Sequence, residues 1–298
     1  MAIRRKHDLP LLLAPLMVCA GWAAGALPAS AQKPAAGLAI VDVLFEDDRG
    51  DLHRDFTMRA GGEAVLSFRV EGFERQRVES ESGLPEQRVH LRHEIELQDP
   101  QGVLVLPGQK GEVETILGPR DDQWRPKINW SAPIPSYAPS GEYRVQLRVR
   151  DLLAGEEINR SVAFRVRGES FRPAESLEVQ QAEYASSQDG PWYSRRYFAL
   201  KDTIHARFKI AGFRVSPEKE VWIEQDWKVL DSEGKTIVSQ ENAVVNKQQS
   251  FYPPRVFSTV FDLRLKDPKP GEYTLRIDVR DRIGEQSLSY DSIFFLRP

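Results

Sequence analysis

Apolar and polar residues alternate along much of the chain. Tyr143, Val145, Leu147 and Val149 are separated by Arg144, Gln146, Arg148 and Arg150. A period of two puts one apolar face and one wet face on an extended strand. Tyr273, Leu275, Ile277 and Val279 repeat the pattern against Thr274, Arg276, Asp278 and Arg280. No convincing 3.6-residue period appears after the N-terminal segment. Short alternating runs punctuated by Gly, Pro and Asp predict antiparallel β-sandwich architecture.

The pattern occurs twice. Gly141-Glu142-Tyr143 through Asp151 returns as Gly271-Glu272-Tyr273 through Asp281, 130 positions later. A proline-bearing turn precedes each copy, and a glycine (Gly155, Gly284) and a closing apolar strand follow it. Phe68-Arg69-Val70-Glu71-Gly72-Phe73 matches Phe208-Lys209-Ile210-Ala211-Gly212-Phe213. The turn Asp99-Pro100-Gln101-Gly102 matches Asp231-Ser232-Glu233-Gly234. An Asp-x-x-Gly between alternating runs is a hairpin signal with glycine where φ is positive. Several colinear matches make an internal repeat, with a short boundary near Gly168–Pro173.

The Gly-Glu-Tyr corner leading into an alternating strand resembles the start of strand F in immunoglobulin-like and fibronectin type III-like domains. In that corner a tyrosine hydroxyl ties back to nearby backbone. The resemblance covers residues 38–167 and 177–297 and implies two tandem all-β sandwich domains, 32–168 and 169–298. It gives Tyr143 and Tyr273 structural roles. The cysteine pair of antibody domains is absent, and this fold alone does not specify a function.

Residues 1–31 have the layout of a secretory signal. Arg4, Arg5 and Lys6 precede an apolar stretch, and Ala29-Ser30-Ala31 forms a small-x-small cleavage pattern. Export to the periplasm or the extracellular space is the expectation. Cleavage removes the sole cysteine, Cys19, with three basic and one acidic residue, leaving 38 basic and 43 acidic residues. The remaining chain offers no disulfide and no thiolate chemistry. Its balance lacks the basic footprint of a nucleic-acid binder. No later apolar run is long enough to span a bilayer. Asn129-Trp130-Ser131 and Asn159-Arg160-Ser161 match the N-glycosylation pattern, but the signal has a bacterial look and both are read as chance.

Aromatic residues supply the candidate contacts. Trp192 and Tyr193, with Arg195, lie in a loop-like segment whose aromatic and guanidinium groups suit sugar stacking or protein contact. Phe251 and Tyr252 beside Arg255, and Trp124 between Arg120 and Arg125, form two similar segments. Trp222 shares its wet strand face with Glu224, Asp226 and Lys228, so it is a candidate contact. Trp227 and Trp130 fall on the apolar parity and are assigned to the core. The long connection Glu74–Arg88 is charged, poor in large apolar residues, and expected to be mobile.

Catalytic signals are sparse. His90 and His93 are three apart on an alternating strand and point to opposite faces. No nucleophile elbow, zinc-binding helix or phosphate-cradling loop is present. Glu94 and Glu96 share a wet face but show no cleft to tune them. Glu46-Asp47-Asp48 with Asp51 and Asp55 reads as a solvated turn. The expectation is a non-catalytic exported protein without cofactor or metal, a monomer or weak oligomer. It would bind an envelope protein or polysaccharide, or act as a spacer. One alternative is a periplasmic strand-donating chaperone. A hydrolase on a sandwich scaffold is the third.

Overall fold

The computed structural model describes residues 37–47, 49–79, 85–194 and 196–298. The signal-like segment, Cys19, Asp48 and Arg195 lie outside the described residues. The first half forms β1 (Ala39–Glu46), β2 (Leu52–His53), β3 (Thr57–Arg59), β4 (Glu63–Glu71), β5 (Gln76–Val78), β6 (Glu86–Gln98), β7 (Gln109–Leu117), β8 (Lys127–Pro133), β9 (Gly141–Asp151) and β10 (Glu157–Arg167). The second half forms β11 (Glu178–Ala185), β12 (Tyr197–Ala199), β13 (Ile204–Ala211), β14 (Glu220–Leu230), β15 (Thr236–Gln249), β16 (Val256–Leu263), β17 (Gly271–Asp281) and β18 (Gln286–Arg297). Among the described residues no helix is present.

Each half pairs two sheets. The first has β2-β1-β4-β8 facing β3-β10-β9-β6-β5, with β7 also on β6. The second has β11-β13-β16 facing β12-β18-β17-β14-β15. Pairing is antiparallel except where the short β3 and β12 run parallel to the closing strands β10 and β18. The chain is therefore all-β, with a pair of sheets and a buried apolar cluster in each half, referred to below as the two sandwiches.

Period two sets the cores. Leu66, Phe68, Leu91, Leu97, Tyr143 and Leu147 are buried in the first. Phe208, Val221, Ile223, Leu275, Ile277 and Phe294 are buried in the second. Each large apolar side chain removed from water contributes about 2 kcal/mol. These contributions are the main source of cohesion where no disulfide forms.

The repeated corners are hydrogen-bonded alike. The Tyr143 hydroxyl donates to the Pro139 carbonyl at 3.0 Å, and that of Tyr273 donates to the Lys269 carbonyl at 2.9 Å. At the other end of β9 and β17, buried Asp151 and Asp281 organise the turns that follow. Asp151 accepts from the amides of Leu153, Ala154 and Glu74. Asp281 accepts from those of Ile283, Gly284 and Arg214. Gly72 and Gly212, in the repeated Phe-rich motif, have φ of 75° and 78°, which favours glycine.

Among its described residues, the connection Glu74–Arg88 contains β5. The Arg75 guanidinium anchors its start by donating to the carbonyls of Asp121, Asp122 and Trp124. One multivalent cation thus holds the start of this charged connection against the Asp121–Trp124 turn.

Both sandwiches belong to one compact unit, Ala36–Pro298. The segment between them is tied to the first. The Ser140 hydroxyl donates to the Gly168 carbonyl and accepts from the Gly168 amide. Ser140 and Glu169 donate backbone amides to Glu169 and Ala138 carbonyls, respectively. A Cβ on Gly168 would sit 2.0 Å from the Ala138 carbonyl oxygen, so only glycine permits this approach.

Candidate recognition surfaces

Tyr252 lies in the turn between β15 and β16, yet it is 3% exposed and packs in the core of the first sandwich. Its ring stacks on Tyr137 at 6.2 Å between centroids, and its carbonyl accepts from the Tyr137 hydroxyl at 2.8 Å. Its own hydroxyl donates to Asp99 at 2.8 Å. Arg255 donates to the same Asp99 carboxylate, to the Tyr252 hydroxyl at 2.6 Å and to Gln101 at 2.8 Å. The other Asp99 oxygen accepts from the amides of Gln101 and Val103. Burial pushes the Tyr252 phenol well above its ordinary value and the Tyr143 phenol up to about 12. Tyr252 is therefore no open contact residue: it joins the two sandwiches. Its neighbour Phe251 is 39% exposed, with the Lys219 ammonium 3.5 Å from its ring centre.

The segment carrying Trp192 and Tyr193 folds back on β11. Tyr184 and Tyr193 exchange two backbone hydrogen bonds, at 2.8 and 3.0 Å. Successive residues on this extended segment point oppositely. Trp192 lies under the Arg207 guanidinium, 4.5 Å from the ring centre, and Arg207 pairs with Glu183. Tyr193 is 54% exposed and lines an open cleft of about 400 Å³ with Tyr197, Phe198, Asp202 and Arg297. Phe295 stacks on Tyr197 at 5.2 Å, and the Arg297 guanidinium lies 4.0 Å from the Tyr197 ring centre.

The remaining aromatic candidates are held by local partners. Trp222 is half-buried beneath the Lys247 ammonium, 3.9 Å from its ring centre, and its buried Nε1 has no hydrogen-bond partner. Beside it, Glu224 takes Arg282 and Arg280, while Asp226 takes Arg280 at 2.5 Å. Those bonds hold both carboxyls below their usual range, Arg282 acting most on Glu224 and Arg280 on Asp226. Trp124 packs edge-on against Phe73 at 5.8 Å. Trp227 is 7% exposed and Trp130 4%. The six described candidate contacts thus do not converge on one surface: the structure separates the Tyr193 cleft, the Trp222 face, the Trp124 turn and the Tyr252 joint.

The titratable candidates are similarly occupied. Glu94 pairs with Lys110 and Arg148. His90 bonds Glu112 at 3.1 Å. His93 lies over Gly111, where an added Cβ would be 2.6 Å from the ring, and burial lowers its pKa. Asp47 accepts from the Arg49 and Asp51 amides and meets His53 at 2.9 Å. Among the described residues no group of three or more His, Cys, Asp or Glu could hold a metal ion, and no helix is long and apolar enough to cross a membrane.

Sequence reasoning missed the receiving side of the joint, Asp99 and Tyr137, and the Tyr197–Arg297 wall of the cleft. The Asp99 turn was visible, but its partners lie 153 and 156 positions away. An Asp-x-x-Gly turn specifies only the amides near it. A Tyr-Pro-Pro-Arg run in an otherwise polar loop was the one available signal.

No protein-family model and no curated protein matches this sequence. Among solved structures, the C-terminal domain of the Streptococcus pyogenes antigen I/II-family protein AspA is 9% identical, with a TM-score of 0.29 over 88% of this chain and 99% of that one. The C-terminal domain of the Streptococcus agalactiae AgI/II polypeptide BspA is 12% identical, with a TM-score of 0.27 over 86% of this chain and 99% of that one. Likeness at this level carries no argument about function.

Proposed function

We propose that this is a non-catalytic exported protein that binds an envelope protein or polysaccharide, or spaces other components, through two sandwiches held as one rigid body. The observation that supports this reading is Tyr252 of the second sandwich built into the core of the first, with Arg255 and Asp99 beside it. A fixed joint keeps a surface at a set distance and angle. That serves presentation and spacing, and it lowers the conformational cost of binding. A strand-donating chaperone would instead need an open apolar edge between the sandwiches, where this chain has Tyr252 and the Ser140–Gly168 ties.

The test has two parts. Fractionation of cells making the tagged full chain should place it outside the cytoplasm. Immobilised residues 32–298, exposed to envelope extract and read for proteins and glycans, should retain an envelope component. Retention of none would reduce the reading to its spacer form. Cytoplasmic accumulation would sink it.

A further inference from the structure

Both sandwiches place an open cleft beside the short parallel strand that flanks the closing strand. In the first, the cleft of about 350 Å³ is lined by Phe56, Thr57, Met58, Arg59 and Arg167. In the second, Tyr197 and Phe198 replace Thr57 and Met58, Arg297 repeats Arg167, and the folded-back segment adds Tyr193. The frame is repeated, but the first cleft has Phe56 as its one aromatic lining residue, whereas tyrosines line the second.

Three features describe what that cleft could hold. First, Tyr193 is 54% exposed, fixed by its backbone exchange with Tyr184, and no other ring or cation covers it among the described residues. A fixed, uncovered phenol offers a flat apolar platform with a polar rim. Second, the Arg297 guanidinium is oriented by Tyr197, which Phe295 supports from behind. Arg297 has no acidic partner among the described residues, so its charge is available. Third, the strand edge here is only the three residues Tyr197–Ala199, and the Ala199 amide is already donated to Asp202 at 2.8 Å. An extended peptide therefore finds almost no backbone ladder to join.

From these features we infer that the cleft is a binding site for an acidic saccharide, with a sugar ring on Tyr193 and its carboxylate or phosphate on Arg297. The C–H face of a pyranose matches the apolar platform. Its hydroxyls meet the phenol groups, and its anionic group meets a planar donor fork suited to carboxylate or phosphate. This deepens the recognition reading proposed above and rests on it.

The test uses residues 32–298 and a panel of defined oligosaccharides: uronate-bearing, phosphate-bearing and neutral, with an unstructured acidic hexapeptide as comparator. Binding would be measured by calorimetry. At least one acidic sugar should bind, and its neutral counterpart should bind about tenfold more weakly. Arg297→Gln should remove that preference. Tyr193→Ala should weaken binding about tenfold, whereas Tyr193→Phe should retain most of it. Unfolding midpoints would confirm that these surface variants remain folded. Binding of the peptide alone, equal binding of acidic and neutral sugars, or binding unchanged by Tyr193→Ala would each overturn the assignment. Retention of an envelope component by the triple variant Tyr193→Ala, Tyr197→Ala, Arg297→Gln would overturn the cleft while leaving the recognition reading intact. Absence of export would count against that reading itself.

Discussion

The same corner of the repeat meets two different fates. Asp99 and Asp231 open equivalent turns, and each accepts two amides from its own turn: Gln101 and Val103 in the first, Glu233 and Lys235 in the second. The tyrosine corners beside them are bonded alike. Yet Asp99 is 3% exposed and takes Tyr252 and Arg255 from the other sandwich, whereas the described bonds of Asp231 end within its turn. By the repeat spacing, Asp267 stands where Tyr137 would offer a stacking face, and Ser232 where Pro100 lies. A joint has been added to a common frame by a handful of side chains. The backbone of the corner is necessary for it but does not create it.

The comparison breaks most severely if the joint residue is removed. Tyr252→Ala leaves a void under Tyr137 and strips a partner from Asp99. Truncating a buried aromatic costs about 3 kcal/mol or more, read by chemical denaturation. Small-angle scattering of the variant should also show a broader range of inter-sandwich distances. Tyr252→Phe keeps the stack, loses the hydroxyl bond, and should cost about 1 kcal/mol. A scattering profile unchanged by Tyr252→Ala would mean that the Ser140–Gly168 ties fix the joint alone.

Asp99→Ala comes next. It leaves Arg255 partly buried without its carboxylate and also frees two turn amides. Breaking such a pair by removing one partner costs about 3 kcal/mol. A smaller effect should appear in alkali. Burial holds the Tyr143 phenol at about 12, against an ordinary value near 10. The folded state therefore keeps a proton that the unfolded chain releases first. This contribution is fully present below pH 10 and is lost as pH rises through about 12, so stability should fall across that window. Spectrophotometric titration of phenolate absorbance alongside circular dichroism would follow it; stability flat from pH 9 to 12 would contradict the burial of these phenols.

What the sequence made legible was whatever repeats locally. Alternation at Tyr143–Val149 and Tyr273–Val279 announced strands and their buried faces, and the two Gly-Glu-Tyr corners carried the fold. The sites were far less legible. Tyr252 had the composition of a contact residue, and it is one, but its partner is the same chain. Nothing local separates an aromatic that meets a ligand from one that meets a neighbouring sandwich. The Tyr193 cleft needed the backbone exchange with Tyr184, which turns Trp192 and Tyr193 in opposite directions. It also needed Arg297, more than a hundred positions away.

The smallest expected effect sharpens the comparison most. Asp231→Ala removes a carboxylate with the same turn chemistry as Asp99 and no described partner beyond that turn. Its two amides remain near water, so their loss should cost about 1 kcal/mol or less. The difference between Asp99→Ala and Asp231→Ala, measured in the same denaturant series, then isolates the contribution of the joint from that of the turn. Adding Tyr252→Ala to each should make the point twice. With Asp231 the two losses should add, because the sites share no partner; with Asp99 they should overlap, because both act on one hydrogen-bonded cluster. If Asp231→Ala proved as costly as Asp99→Ala, the turn itself would be the stabilising element and Tyr252 a passenger on it.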